Sequence, residues 1–144
     1  MKTKAFIFAV MVAIFSAMPV SSQTAQENFD KGMKHFDQKE YSQAIECFDA
    51  AIKIEPDFSV AFLERGIAKL LNQEYRGAIY DFNKVIELDP ENCEAYLYRS
   101  KAKEKTGDPE GAKKDKENQI SCWKNLVKKK ETRIWYRFLS MKKN

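Results

Sequence analysis

A chain of 144 residues with a formal net charge of +4, 44% hydrophobic and 32% charged residues is long enough for one small packed domain and too short for two. A single histidine, three cysteines without close metal-type spacing and five scattered glycines leave no zinc site, no phosphate-cradling loop and no nucleophile beside a base, so the chain reads as non-catalytic and free of cofactors and metals. The net charge conceals an asymmetry: residues 122–144 hold eight Lys/Arg against Glu131 alone, whereas residues 23–121 hold 15 Lys/Arg against 20 Asp/Glu.

In chain order, Lys2 and Lys4 precede an apolar run from Ala5 to Ala17, and Pro19, Ser21 and Ser22 follow it. This pattern predicts a signal peptide over residues 1–22, cut before Gln23, and hence a secreted or periplasmic protein. The run falls short of the roughly 20 residues that a membrane span needs. The alternative is a retained signal anchor. No cysteine stands near the expected cleavage point, which argues against lipid attachment there.

From residue 25 onward the chain repeats itself every 34 residues. Gly32, Gly66 and Ser100 share one register position; Ala44, Ala78 and Ala112 share another; Phe48 and Phe82, Pro56 and Pro90, and Ile52, Ile86 and Ile120 mark three more. Units 25–58 and 59–92 agree at eight positions, and 59–92 and 93–126 at nine. Within each unit the apolar residues fall at helical spacing in two stretches joined by a short polar turn. In the first unit these stretches are Phe29, Met33 and Phe36, then Ala44, Ile45, Phe48, Ala51 and Ile52, with Asp37-Gln38-Lys39-Glu40 between them. Small residues at the shared positions predict close approach of the paired helices, since a glycine inside a helix costs about 1 kcal/mol relative to alanine and must be offset by packing. Pro56 and Pro90 end their units.

The third unit departs from the others. Its first helix is expected over Glu94 to Lys105, and Thr106-Gly107-Asp108-Pro109 supplies a stop, a cap and a proline at the first helical position. Its second helix turns polar: Lys113, Lys116 and Gln119 stand where Ile79, Phe82 and Val85 stand one unit earlier. No regular fourth unit should follow. Lys124 replaces the terminating proline, so this helix is expected to run on into, or be closely followed by, a basic aromatic tail over 123–144.

The ordered small, aromatic and proline positions resemble the tetratricopeptide repeat over residues 25 to about 122. The resemblance implies an all-α helical solenoid of about three helix pairs, units 25–58, 59–92 and 93–122 of a repeat domain spanning 23–122, closed by a C-terminal capping helix. It further implies a concave wall of first helices that receives a peptide or helix of a protein partner. On this chain that wall would present Phe29, Met33, Phe36, Leu63, Ile67, Leu70, Leu97 and Lys101. One subgroup of the family grips the C-terminal carboxylate of heat-shock chaperones with lysines, asparagines and an arginine; Phe29, Met33, Glu64, Glu94 and Tyr98 occupy those places here, so that grip is absent.

The same arrangement brings Cys93, at the start of one helix, beside Cys122, toward the end of its antiparallel partner, and makes them the favoured disulfide pair, with Cys47 left as a small buried residue. Arg65 and Arg99, with Asp81 and Asp115, also recur at 34 residues. They are read first as inter-helix bridges and second as a carboxylate-binding ladder. In the tail, Lys128, Lys129, Lys130, Arg133 and Arg137 lie among Trp123, Trp135 and Phe138. That mixture fits a cap with an apolar inner face, or docking to an anionic membrane surface as the rival function. Secretion argues against nucleic acid. A homodimer closed through the apolar groove is a third possibility.

Overall fold

The computed structural model describes the backbone of residues 24–141 and the side chains of residues 24–134; the leader expected over 1–22 lies outside the described residues. Among the described residues six helices follow one another: α1 (Ala25–Asp37), α2 (Tyr41–Ile54), α3 (Ser59–Leu71), α4 (Tyr75–Leu88), α5 (Cys93–Lys105) and α6 (Pro109–Met141). No strand occurs among the described residues. Each helix packs on its neighbours in sequence, and α3 also touches α5, so three helix pairs stack with their first members on one side.

Local chemistry sets the boundaries. Thr24 opens α1 with a reciprocal cap: its hydroxyl accepts from the Glu27 amide at 3.1 Å, and the Glu27 carboxylate accepts from the Thr24 amide at 3.1 Å. Asn92 caps α5 through the Ala95 amide at 3.1 Å, and Asp108 caps α6 through the Gly111 amide at 2.9 Å. Helices α2 and α4 stop two residues before Pro56 and Pro90, because the residue preceding a proline is driven out of helical geometry. Where Lys124 takes the place of that proline, α6 continues unbroken as one helix to Met141.

The turns between paired helices repeat a feature that composition hides. Lys39, Gln73 and Gly107 occupy one register position, and all three adopt left-handed backbone, with φ of 62°, 65° and 81°. Only the third is a glycine, the residue for which this conformation carries no Cβ penalty.

At the joints of the first two pairs the recurrent glycines face the recurrent phenylalanines. A Cβ on Gly32 would stand 2.6 Å from a ring carbon of Phe48, and one on Gly66 would stand 2.7 Å from the same atom of Phe82. Both rings are fully buried. Phe48 centres one cluster with Ala44 and Ala68, and Phe82 a second with Leu63, Val85, Ala95 and Ala102. The third pair lacks the ring. Lys116 points to solvent in its place and bonds Glu104 at 2.5 Å, and Ser100 fits where glycine was needed, its hydroxyl donating to the Leu97 carbonyl at 2.7 Å.

Candidate functional site

Helices α1, α3 and α5 present the wall on which the expected groove residues stand. Six of the eight, Phe29, Met33, Phe36, Ile67, Leu70 and Leu97, are half-buried. Phe29, Met33 and Phe36 lean on the Phe48 cluster, with the Phe29 ring 5.5 Å from Phe48 and 5.3 Å from Phe58. Leu63 departs from the expectation: it is 6% exposed and belongs to the Phe82 cluster, because α5 packs across α3 at that level. Val60 and Leu71, near the two ends of α3, are exposed instead and carry the apolar surface of the wall. Val60 shares its register position with Gln26 and Glu94, so no recurrence in the sequence singles it out.

The middle of the wall is acidic. Burial raises the Glu64 carboxyl above its ordinary range, and the nearby Glu94 carboxylate raises it further. The Tyr98 hydroxyl is raised as well, by burial first and then by Glu94 and Glu64. Neither Glu64 nor Glu94 has a cationic partner among the described residues. Lys101 is exposed on the same wall, its ammonium 4.9 Å from the centre of the Tyr98 ring. A carboxylate ligand arriving here would meet two anions, whereas an ammonium or guanidinium would relieve them.

The repeated arginines are committed elsewhere. Arg65 makes a two-point contact with Asp81 at 3.0 and 2.5 Å and reaches Asp49 at 2.6 Å, joining α3 to both α4 and α2. Arg99 does the same one unit later, to Asp115 at 2.8 and 2.6 Å and to Asn83 at 2.7 Å. Lys69 and Lys103 complete each cluster at 2.9 Å from the buried aspartate. Burial alone would raise the Asp115 carboxyl, but Arg99 and Lys103 outweigh it and hold it below the usual range. These arginines fix helix register, and no free guanidinium remains at either position for a carboxylate ladder. In the first unit Lys31 and Cys47 stand at the arginine and aspartate positions, so the cluster is missing there. Cys47 is a free, half-buried thiol rather than the fully buried one expected. His35 is half-buried, with Nδ1 2.6 Å from a Glu40 carboxylate oxygen.

At the far end, a disulfide joins Cys93 to Cys122, with Cα atoms 5.6 Å apart. Lys129 pairs with Glu91 beside it. These two ties hold one side of α6 against the turn before α5. Lys128, Lys130 and Arg133 are exposed; the side chains of Trp135 and Arg137 lie outside the described residues. The cap takes another form than an apolar face folded onto the repeats, for α6 runs on as one helix whose Ile120, Trp123, Val127 and Ile134 remain in solvent. Among the described residues no helix is long and apolar enough to cross a membrane, and no group of three potential ligands could hold a metal ion.

Comparison with known proteins agrees with this architecture. Residues 25–58 match the tetratricopeptide repeat model. No curated protein sequence matches the chain. Among solved structures, MamA is similar at a TM-score of 0.71 and 23% identity over 73% of this chain, which spans 61% of the MamA chain. The second TPR of Spaghetti (RPAP3), bound to the HSP90 peptide SRMEEVD, is similar at 0.67 and 29% identity, covering 69% of this chain and 93% of the other. The first TPR of the same protein, bound to the same peptide, is similar at 0.68 and 28% identity over 86% and 99% of the two chains. The fold is therefore an all-α tetratricopeptide-like solenoid.

Proposed function

We propose that this chain is a non-catalytic interaction module that takes a peptide or helix of a protein partner on its concave wall, through a ligand with apolar and basic side chains. The observation that carries the reading is the pairing of exposed Val60 and Leu71 with two carboxylates, Glu64 and Glu94, that have no cation of their own among the described residues. A patch of this kind marks a contact surface. The Spaghetti domains, similar to this chain and bound to a peptide, support a peptide as the class of ligand. Their ligand, SRMEEVD, is acidic, and the residues on this wall disfavour such a sequence. A leader over 1–22 and a secreted or periplasmic home belong to the same proposal, and the Cys93–Cys122 disulfide supports an oxidising compartment.

The test is selection from a displayed random-peptide library by the native protein and by an Ile67→Glu, Leu71→Glu variant. Basic amphipathic peptides taken by the first and refused by the second, with helicity preserved, support the wall; equal capture by both refutes it. Binding should also weaken on acidification. Glu64 has its proton affinity raised in the folded state, so it becomes neutral sooner than an ordinary glutamate as pH falls, and the attraction for a cation goes with it. The rival reading, docking of the tail to anionic lipid, is favoured by the exposed Trp123 and Ile134 beside Lys124 and Lys130, and salt-sensitive binding to phosphatidylserine vesicles tests it.

A further inference from the structure

We infer that the ligand of the acidic wall is the segment of α6 from Ile120 to Ile134 of a second copy of this chain; the inference rests on the wall being the binding surface. Ile120, Trp123, Val127 and Ile134 follow one another at helical spacing along α6, each between 51% and 68% exposed. A stripe of this size on a water-soluble helix needs a covering surface. Its own wall is out of reach. Helix α6 is continuous from Pro109, packs along α5 and is tied at Cys122 to Cys93, so its distal half cannot turn back across α1 and α3.

Charge selects among the remaining occupants. Two α6 helices paired stripe to stripe and antiparallel about Val127 would set Lys124 of one near Lys130 of the other. Each also carries Lys128, Lys129 and Arg133 against Glu131 alone, so the pair would repel. A lipid surface suits the lysines, but Glu131 sits in the stripe itself, four residues after Val127 and three before Ile134, where it would face anionic headgroups. The wall of a second copy suits both signs. Glu64 and Glu94 lack cations among the described residues and complement Lys124 and Lys128, and the exposed Lys101 complements Glu131.

From Ile120 to Ile134 the stripe runs about 21 Å at the helical rise of ~1.5 Å per residue. If each copy lends its α6 to the other, the assembly closes as a two-fold dimer.

The experiment is sedimentation velocity on the full chain and on two charge-reversed variants, Glu64→Lys with Glu94→Lys, and Lys124→Glu with Lys128→Glu. The native chain should sediment as two copies at micromolar concentration and fall to the mass of a single chain in high salt. Each variant alone should be a folded monomer by circular dichroism. Mixed in equal amounts they should re-form a dimer, since the basic wall of one then meets the acidic helix of the other and the native wall meets the native helix. A native chain that stays monomeric at about 100 μM, a dimer that survives both reversals, or a mixture that fails to pair would overturn the inference. Monomer that sediments with phosphatidylserine vesicles would assign the stripe to lipid instead. In each of these cases the peptide selection above still judges the wall independently.

Discussion

The second and third helix pairs share nine identities in register, yet their joints are built on opposite terms. In the second, Gly66 lies against the buried ring of Phe82, and Ile79 and Ile86 of the same helix pack around the cluster that continues into α5. In the third, Ser100 replaces the glycine, Lys116 replaces the ring and turns outward to Glu104, and Lys113 lies in solvent. The glycine and the phenylalanine are thus one feature in two places: once the ring is gone, a Cβ has room. The arginine–aspartate cluster, by contrast, is retained across both pairs with bond lengths that differ by 0.2 Å or less. Register within the array is kept to the last pair, while the surface that would accept a further pair is given up.

Truncating the ring is the strongest way to break this comparison. Phe82→Ala should lower stability by about 3–5 kcal/mol in urea unfolding, because a large cavity opens between α3, α4 and α5. Lys116→Ala, at the same register position, should leave the unfolding midpoint almost unmoved. Comparable losses would mean that the third joint is as tightly packed as the second.

Next in size is the covalent tie that replaces the missing packing. Changing Cys93 and Cys122 together to serine opens a closed loop spanning 29 residues and should cost about 3 kcal/mol. Amide exchange should show the loss concentrated in α5 and α6. A loss spread evenly over α1 to α4 would contradict a stabilisation confined to the third helix pair.

Smaller changes sharpen the link between glycine and ring. Gly66→Ala drives a methyl group into Phe82 and should cost about 1–3 kcal/mol, whereas Ser100→Ala removes one hydroxyl bond and should cost about 1 kcal/mol or less. Smallest of all is the turn position. Gln73→Gly, at a φ of 65°, should stabilise the protein by up to about 1 kcal/mol, and Gly107→Ala, at 81°, should do the reverse. Equal and negligible effects at both turns would show that flanking contacts, not the left-handed backbone, set the conformation there.

The helix pairs were legible because burial in a repeat array recurs with the chain: Ala44 and Ala78, Phe48 and Phe82, and Pro56 and Pro90 sit in one environment twice and so keep one residue type. The candidate wall was legible only in part. Phe29, Met33 and Ile67 follow from helical spacing, but spacing alone does not separate Leu63, which α5 covers, from Val60 and Leu71, which nothing covers among the described residues. The left-handed turns are not legible in the sequence, because Lys39 and Gln73 give no sign of a positive φ.

By itself the sequence determined the repeat period and the all-helical solenoid, for both follow from residue type at a fixed register. Tertiary structure decided which apolar residues are core and which are surface, that Arg65 and Arg99 spend their hydrogen bonds on neighbouring helices, and that the basic end of the chain extends as one helix with an uncovered stripe. Those outcomes depend on what lies across from each side chain. Periodicity fixes the direction in which a residue points, and only the assembled helices supply what it meets there.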